Sequence, residues 1–162
     1  RQNIVADAVV EFVDNARASG RISRTGYENL TSRVHSAFSR CDIDIIYEAS
    51  ESVPVPTYSA SGAVTGYTAS RMLQSYTEDD ITGYMYFETD QYGKIILDAS
   101  GNRISLTDTK DFPLKEGGYL TVRVTSQALT PGSEMLRMFL PAYKGNAIYT
   151  VYSGYVGNTY QQ

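Results

Sequence analysis

From Ile4 to Gly20 the chain reads IVADAVVEFVDNARASG. Ile4, Val5, Ala8, Val9, Phe12, Val13 and Ala16 recur at helical spacing, and only an α-helix gathers them onto one face. Asp7, Glu11, Asp14 and Arg17 fall on the opposite face. Gly20 stands where a helix places the glycine that follows its last turn. The stretch is therefore an amphipathic helix over Ile4–Ser19 that must bury one side against something else. Arg1, Gln2 and Asn3 give little room for a cap ahead of the apolar face. The expectation is the back half of a longer helix, in a fragment or processed form of a longer product.

A second helix follows at once. Thr25 and Glu28 have the spacing of a capping box, with Ile22 ahead of them as a hydrophobic staple. Tyr27, Leu30, Val34 and Phe38 mark its buried stripe, and it should end near Arg40. So short a link makes a helical hairpin or a sharp corner. The period then changes. In CDIDIIYEA, Ile43, Ile45 and Tyr47 alternate with Asp42, Asp44 and Glu48, the pattern of a half-buried strand. SESVPVPTYSASG, with two prolines and many serines, reads as an extended loop. Residues 63–76 fit a strand or a short helix, with strand preferred.

Residues 81–106 read as a β-meander, in which Tyr84, Tyr86 and Glu88 alternate with Met85 and Phe87. DQYG and DASGN supply its turns. DTKDFPLKEGGY reads as a loop, and YLTVRVTSQ as a strand with Leu120, Val122 and Val124 on one side. Thr130 and Pro131 look like a helix start, with a short helix or turn through Met135, Leu136 and Phe139 to Pro141. NAIYTVYSGYVGN is a last strand, with a break at Gly154. Helices come first and strands after, which predicts an α+β fold: an N-terminal amphipathic helix and a second helix packed on an antiparallel sheet. The 162 residues suit one domain, helical over 1–40 and mainly β over 41–162.

The net charge of −4, with Lys and Arg scattered, leaves no cationic face for nucleic acid or for anionic lipid headgroups. The single cysteine, Cys41, permits no internal disulfide and leaves the compartment open. No run is long and apolar enough to span a membrane, and no secretory leader is recognisable.

A search for chemistry yields no catalytic, cofactor-binding or metal-ligating residue. His35, the single histidine, sits beside the main stripe of its helix and reads as a partly exposed helix residue. Cys41 reads as a small buried hydrophobe. One histidine and one cysteine do not make a zinc site. Glu78, Asp79 and Asp80, and the turns at Asp90 and Asp98, do not have calcium-loop spacing and read as solvated acidic turns. The glycines of SASGAVTG lack the Lys-Ser/Thr of a phosphate loop. Any two acids could meet in space to do glycoside chemistry, but nothing singles out a pair. Tyrosine is abundant, 14 against 5 Phe and no Trp. Tyr84, Tyr86, Tyr92, Tyr149, Tyr152 and Tyr155 could make an aromatic platform for a glycan or peptide. Cover for a half-buried sheet is the commoner use of such residues.

The order of elements, carried by NIVADAVVEFVDNARASGRISRTGYENLTSRV, CDIDIIYEAS, GGYLTVRVTSQ and NAIYTVYSGYVGN, resembles the soluble part of a type IV pilin-like protein. It is most similar to the TadE-like pseudopilins and minor pilins of Tad/Flp-type systems. The resemblance implies a non-enzymatic structural or assembly protein at the bacterial cell surface, held in the membrane by an anchor that continues the first helix upstream. It also implies other pilin-like subunits as partners through that missing helix, and an isolated domain that is monomeric. The chain departs from the family pattern in having no anchor, no prepilin cleavage site and no C-terminal disulfide. Residues 58–113 match no pattern of the family. Two other readings stand beside it: an extracellular peptide- or glycan-binding module using a tyrosine-rich sheet, and a carboxylate-dependent hydrolase.

Overall fold

A computed structural model of the chain describes residues 2–38, 40–127 and 147–157. The elements run α1 (Gln2–Ser19), β1 (Arg21–Ile22), α2 (Arg24–Ala37), β2 (Cys41–Tyr58), β3 (Val64–Tyr76), α3 (Glu78–Tyr86), β4 (Phe112–Pro113), β5 (Tyr119–Gln127) and β6 (Ala147–Tyr155). β3, β2, β5 and β6 form a four-stranded sheet in that order, antiparallel throughout, and β1 pairs with β4 in a second, two-stranded sheet. The fold is α+β.

α1 forms as its periodicity requires. Val5, Ala8, Val9, Phe12, Val13 and Ala16 are buried in one core. Gly20 closes the helix at φ 69°, where a side chain would be strained, and its N–H donates to the Ala16 carbonyl at 2.9 Å. The helix packs along α2 and against β5 and β6. Its polar face is tied down at both neighbours. Glu11 accepts from Arg33 of α2 at 2.5 Å, and Asp14 accepts from the Tyr152 hydroxyl of β6 at 3.1 Å.

α2 starts two residues earlier than its sequence suggests. Ser23, not Thr25, is the N-cap, and its hydroxyl accepts from the Gly26 N–H. Glu28 pairs with Arg24 instead of closing a capping box. Ile22 does sit just ahead of the cap, fully buried. The helix ends at Ala37, short of Arg40, and Leu30 and Val34 carry its buried stripe.

In the sheet, register puts Ile43 opposite Val124, Ile45 opposite Val122 and Tyr47 opposite Leu120, all facing the helices. Two expectations fail here. Residues 50–58 are not a loop: β2 continues through Pro54 and Pro56, paired with Ala69 and Tyr67 of β3. The prolines are tolerated because, among the described residues, β2 has no second neighbour beyond Glu48, so a missing N–H costs no ladder bond on that side. Residues 81–86 are not part of the expected meander but belong to the helix α3. Thr77 caps it in a full capping box with Asp80, and Ile81 and Met85, one turn apart, are buried. The local capping bonds and the four-residue spacing outweigh the alternation of Tyr84 and Tyr86.

The meander survives only beyond α3, as isolated bridges Phe87–Ser105, Thr89–Ile95 and Leu97–Arg103. The loop before β5 contains β4, which pairs with β1 at the corner between α1 and α2. β6 runs through Gly154 without a break. The helix expected from Thr130 to Pro141 lies outside the described residues. Among the described residues, no helix is long and apolar enough to cross a membrane.

Candidate functional site

The aromatic side chains that converge in this fold do so beside α3. Tyr47 of β2 and Tyr76 of β3 stack with ring centroids 5.8 Å apart. Phe112 of β4 meets Tyr47, Tyr76 and Tyr84 edge-on, at 5.9, 5.5 and 5.4 Å. Edge-to-face contacts of this kind add to plain burial and hold ring orientation. Over the cluster opens a cleft of about 460 Å³, walled by Tyr76, Tyr84, Phe112 and Pro113 and by the turn Tyr92–Lys94.

Polar groups enter the cleft from one side. Glu51 of β2 accepts from the Tyr76 hydroxyl at 2.7 Å, and the Lys115 ammonium stands 3.6 Å from its other oxygen. Burial and the Glu51 carboxylate push the Tyr76 phenol well above its ordinary value, so it stays protonated and serves as a donor. The Tyr47 hydroxyl accepts the Lys115 backbone N–H at 2.6 Å, which fixes the start of the segment leading into β5. The Lys110 ammonium lies 4.0 Å from the centre of the Tyr84 ring, a cation–π contact that backs the opposite wall. Asp80, the second acid on the cleft, is engaged by the capping box of α3. The arrangement offers flat apolar faces and mixed charge; the Tyr76 hydroxyl, its proton given to Glu51, is left to accept, and the Lys115 ammonium to donate. Apolar walls with a few fixed polar groups are the usual lining of a binding cleft.

The residues singled out in the sequence lie elsewhere or are occupied. His35 and Cys41 border one surface hollow beside α2, together with Asp42 and Asp44. His35 Nδ1 is 2.7 Å from the Thr31 carbonyl oxygen, and the Cys41 thiol donates to the Phe38 carbonyl at 3.7 Å. Burial, with Asp42 adjacent, raises the Cys41 thiol and keeps it protonated, the opposite of what a thiolate nucleophile needs. Glu78 accepts from the Tyr27 hydroxyl at 2.6 Å, Asp79 pairs with Arg103, and Asp80 caps α3. Asp90 accepts from the Tyr92 and Lys94 N–H groups, and Asp98 from those of Ser100 and Asn102, each inside its own turn. Among the described residues no three metal-ligating side chains gather.

The six tyrosines do not make one platform. Tyr84 and Tyr92 line the cleft, and the Tyr86 hydroxyl donates to Glu28. Tyr152 and Tyr155 belong to β6, at the other edge of the sheet from β3. The Tyr149 side chain lies outside the described residues. Glu51, Tyr76, Phe112 and Lys115 carry no motif that would have singled them out; they meet only because β2, β3 and β4 do. The chain matches no family model, no curated protein and no solved structure.

Proposed function

We propose that this chain is the extracytoplasmic domain of a membrane-anchored pilin-like subunit, a minor pilin or pseudopilin of a surface filament or secretion system. Its work is structural and not catalytic. The observation that carries the reading is α1. The helix lies along an antiparallel four-stranded sheet with Val5, Val9, Phe12 and Val13 buried, and Arg17 and Asp14 reach β6 from its polar side. A helix docked this firmly over its length can serve as the lower half of a spine whose upper half packs against other subunits. In this reading a hydrophobic anchor precedes α1, and the sheet and loops face outward at the cell surface.

The test is made on the native gene product. It should fractionate with membranes and co-purify with other pilin-like subunits. A product that partitions away from membranes and assembles with no such subunit would overturn the reading.

The cleft beside α3 favours a second reading, an extracellular peptide- or glycan-binding module. Aromatic walls and the Lys115 ammonium beside Glu51 are what such a ligand would use. A panel of oligosaccharides and extended peptides should then contain one that raises the melting temperature, with the effect lost in Tyr84→Ala. A panel without effect would remove this reading.

A further inference from the structure

The distal half of the β2–β3 hairpin stands apart from the core. β2 pairs with β5 from Cys41 to Glu48, so among the described residues Ala49–Tyr58 has β3 as its single partner. A two-stranded ribbon of this kind is marginal in water unless something further covers it. Yet six of the thirteen large hydrophobics exposed among the described residues lie here: Val55, Tyr58, Val64, Tyr67, Met72 and Leu73. Apolar surface is thus concentrated on the arm, where intramolecular packing does least. Between Ser50 and Ser75 the only charged residues are Glu51 and Arg71.

The two edges of the arm differ. Pro54 and Pro56 are two residues apart, so both withhold an N–H from the same side of β2, and that edge cannot accept a full strand. β3 has no proline over its 13 residues and carries one charge, Arg71. Among the described residues it is an outermost strand of the sheet, with β2 beside it. A long, proline-free edge with a single charge is a template for strand addition, which proteins otherwise block with charge or proline. Among the described residues one edge is blocked and the other left open.

We propose that β3 pairs edge to edge with β3 of a second copy of this chain, antiparallel about a two-fold axis through Ser70. Ser70 is the midpoint of Val64–Tyr76, so this register pairs the whole strand with itself. It sets Tyr67, 69 % exposed, opposite Leu73 of the second copy, 72 % exposed, and so makes cross-strand neighbours of the two most exposed apolar side chains of β3. It sets Arg71 opposite Ala69, whereas an axis through Arg71 would oppose two guanidinium groups. The interface is isologous and closed, and joins two four-stranded sheets into one. It rests on β2 and β3 alone and does not depend on the anchored-subunit reading. It departs from the expectation of a monomer, and sedimentation equilibrium decides between them.

Sedimentation equilibrium of the chain over a wide range of concentration tests this. The wild type should dimerise reversibly. Ser70→Lys and Ser70→Glu, each placing like charges across the axis, should be monomeric where the wild type is mostly dimeric, with unchanged circular dichroism. An equal mixture of the two variants should dimerise again. A wild type that stays monomeric at every concentration would overturn the proposal and leave a strand of a different protein as the occupant of the edge. Dimerisation of Ser70→Lys alone to the wild-type extent, or no rescue in the mixture, would overturn it too.

Discussion

The Arg17 guanidinium lies across Gly154. Its Nε donates to the Tyr155 carbonyl at 2.6 Å, and a Cβ built on Gly154 would stand 2.5 Å from Cζ. The glycine therefore makes room for the contact that latches the end of α1 to β6. Gly154→Ala should displace Arg17 and cost about 1 kcal/mol through the lost hydrogen bond. In an Arg17→Ala background the same change should be neutral or stabilising, by about 0.5 kcal/mol, because alanine is better than glycine inside a strand. A double-mutant cycle by urea denaturation reads the difference. Additive effects would show that the two residues do not act together.

Gly118 makes the contrasting case. A Cβ there would stand 2.6 Å from Tyr47 Cε2 and 3.0 Å from the Lys115 carbonyl, a buried ring and a backbone atom. Neither can swing aside as a guanidinium can. Gly118→Ala should cost roughly 1–3 kcal/mol, with the Tyr47 near-ultraviolet signal altered. A neutral result would mean the Tyr47–Lys115 segment is looser than its packing implies.

Phe12 is the largest side chain that α1 buries. Phe12→Ala should cost roughly 3–5 kcal/mol in equilibrium unfolding. A loss below about 1 kcal/mol would mean that α1 is not docked on the rest of the fold, and the spine reading would lose its support.

The Thr77 hydroxyl and the Asp80 carboxylate hold the start of α3 in a reciprocal cap. Thr77→Ala should cost about 1 kcal/mol and lower helical ellipticity. Were 78–86 a strand, the substitution would leave ellipticity unchanged.

Tyr76 binds its proton more tightly folded than unfolded, because burial and Glu51 both disfavour the phenolate. The folded state then holds more protons than the unfolded state once pH exceeds the ordinary phenol value of 10.0. Its contribution to stability is intact below that value and lost as pH rises above it. Tyr76→Phe should remove a late-ionising phenol from an alkaline absorbance titration and flatten the fall in stability above that pH. An unchanged titration would mean that the Glu51 contact does not form.

Where one face of an element is buried, its period is written in the residues, and there the sequence was sufficient. The α1 stripe from Val5 to Ala16, the Ile43–Tyr47 alternation and the Leu120–Val124 alternation all follow from the need to bury one side, and the helix-then-strand order carries the α+β class. Where local signals compete, sequence alone was not enough. Nine residues of α3 fit two periods, and the cap at Thr77 with the burial of Ile81 and Met85 decides between them. Pro54 and Pro56 look like breakers until β2 is seen to lie outside β5, where no ladder bond is lost. The cleft is a product of tertiary structure entirely. Glu51, Tyr76, Tyr84 and Phe112 come from four elements, and no spacing along the chain records that pairing β2 with β3, and β4 with β1, brings them together.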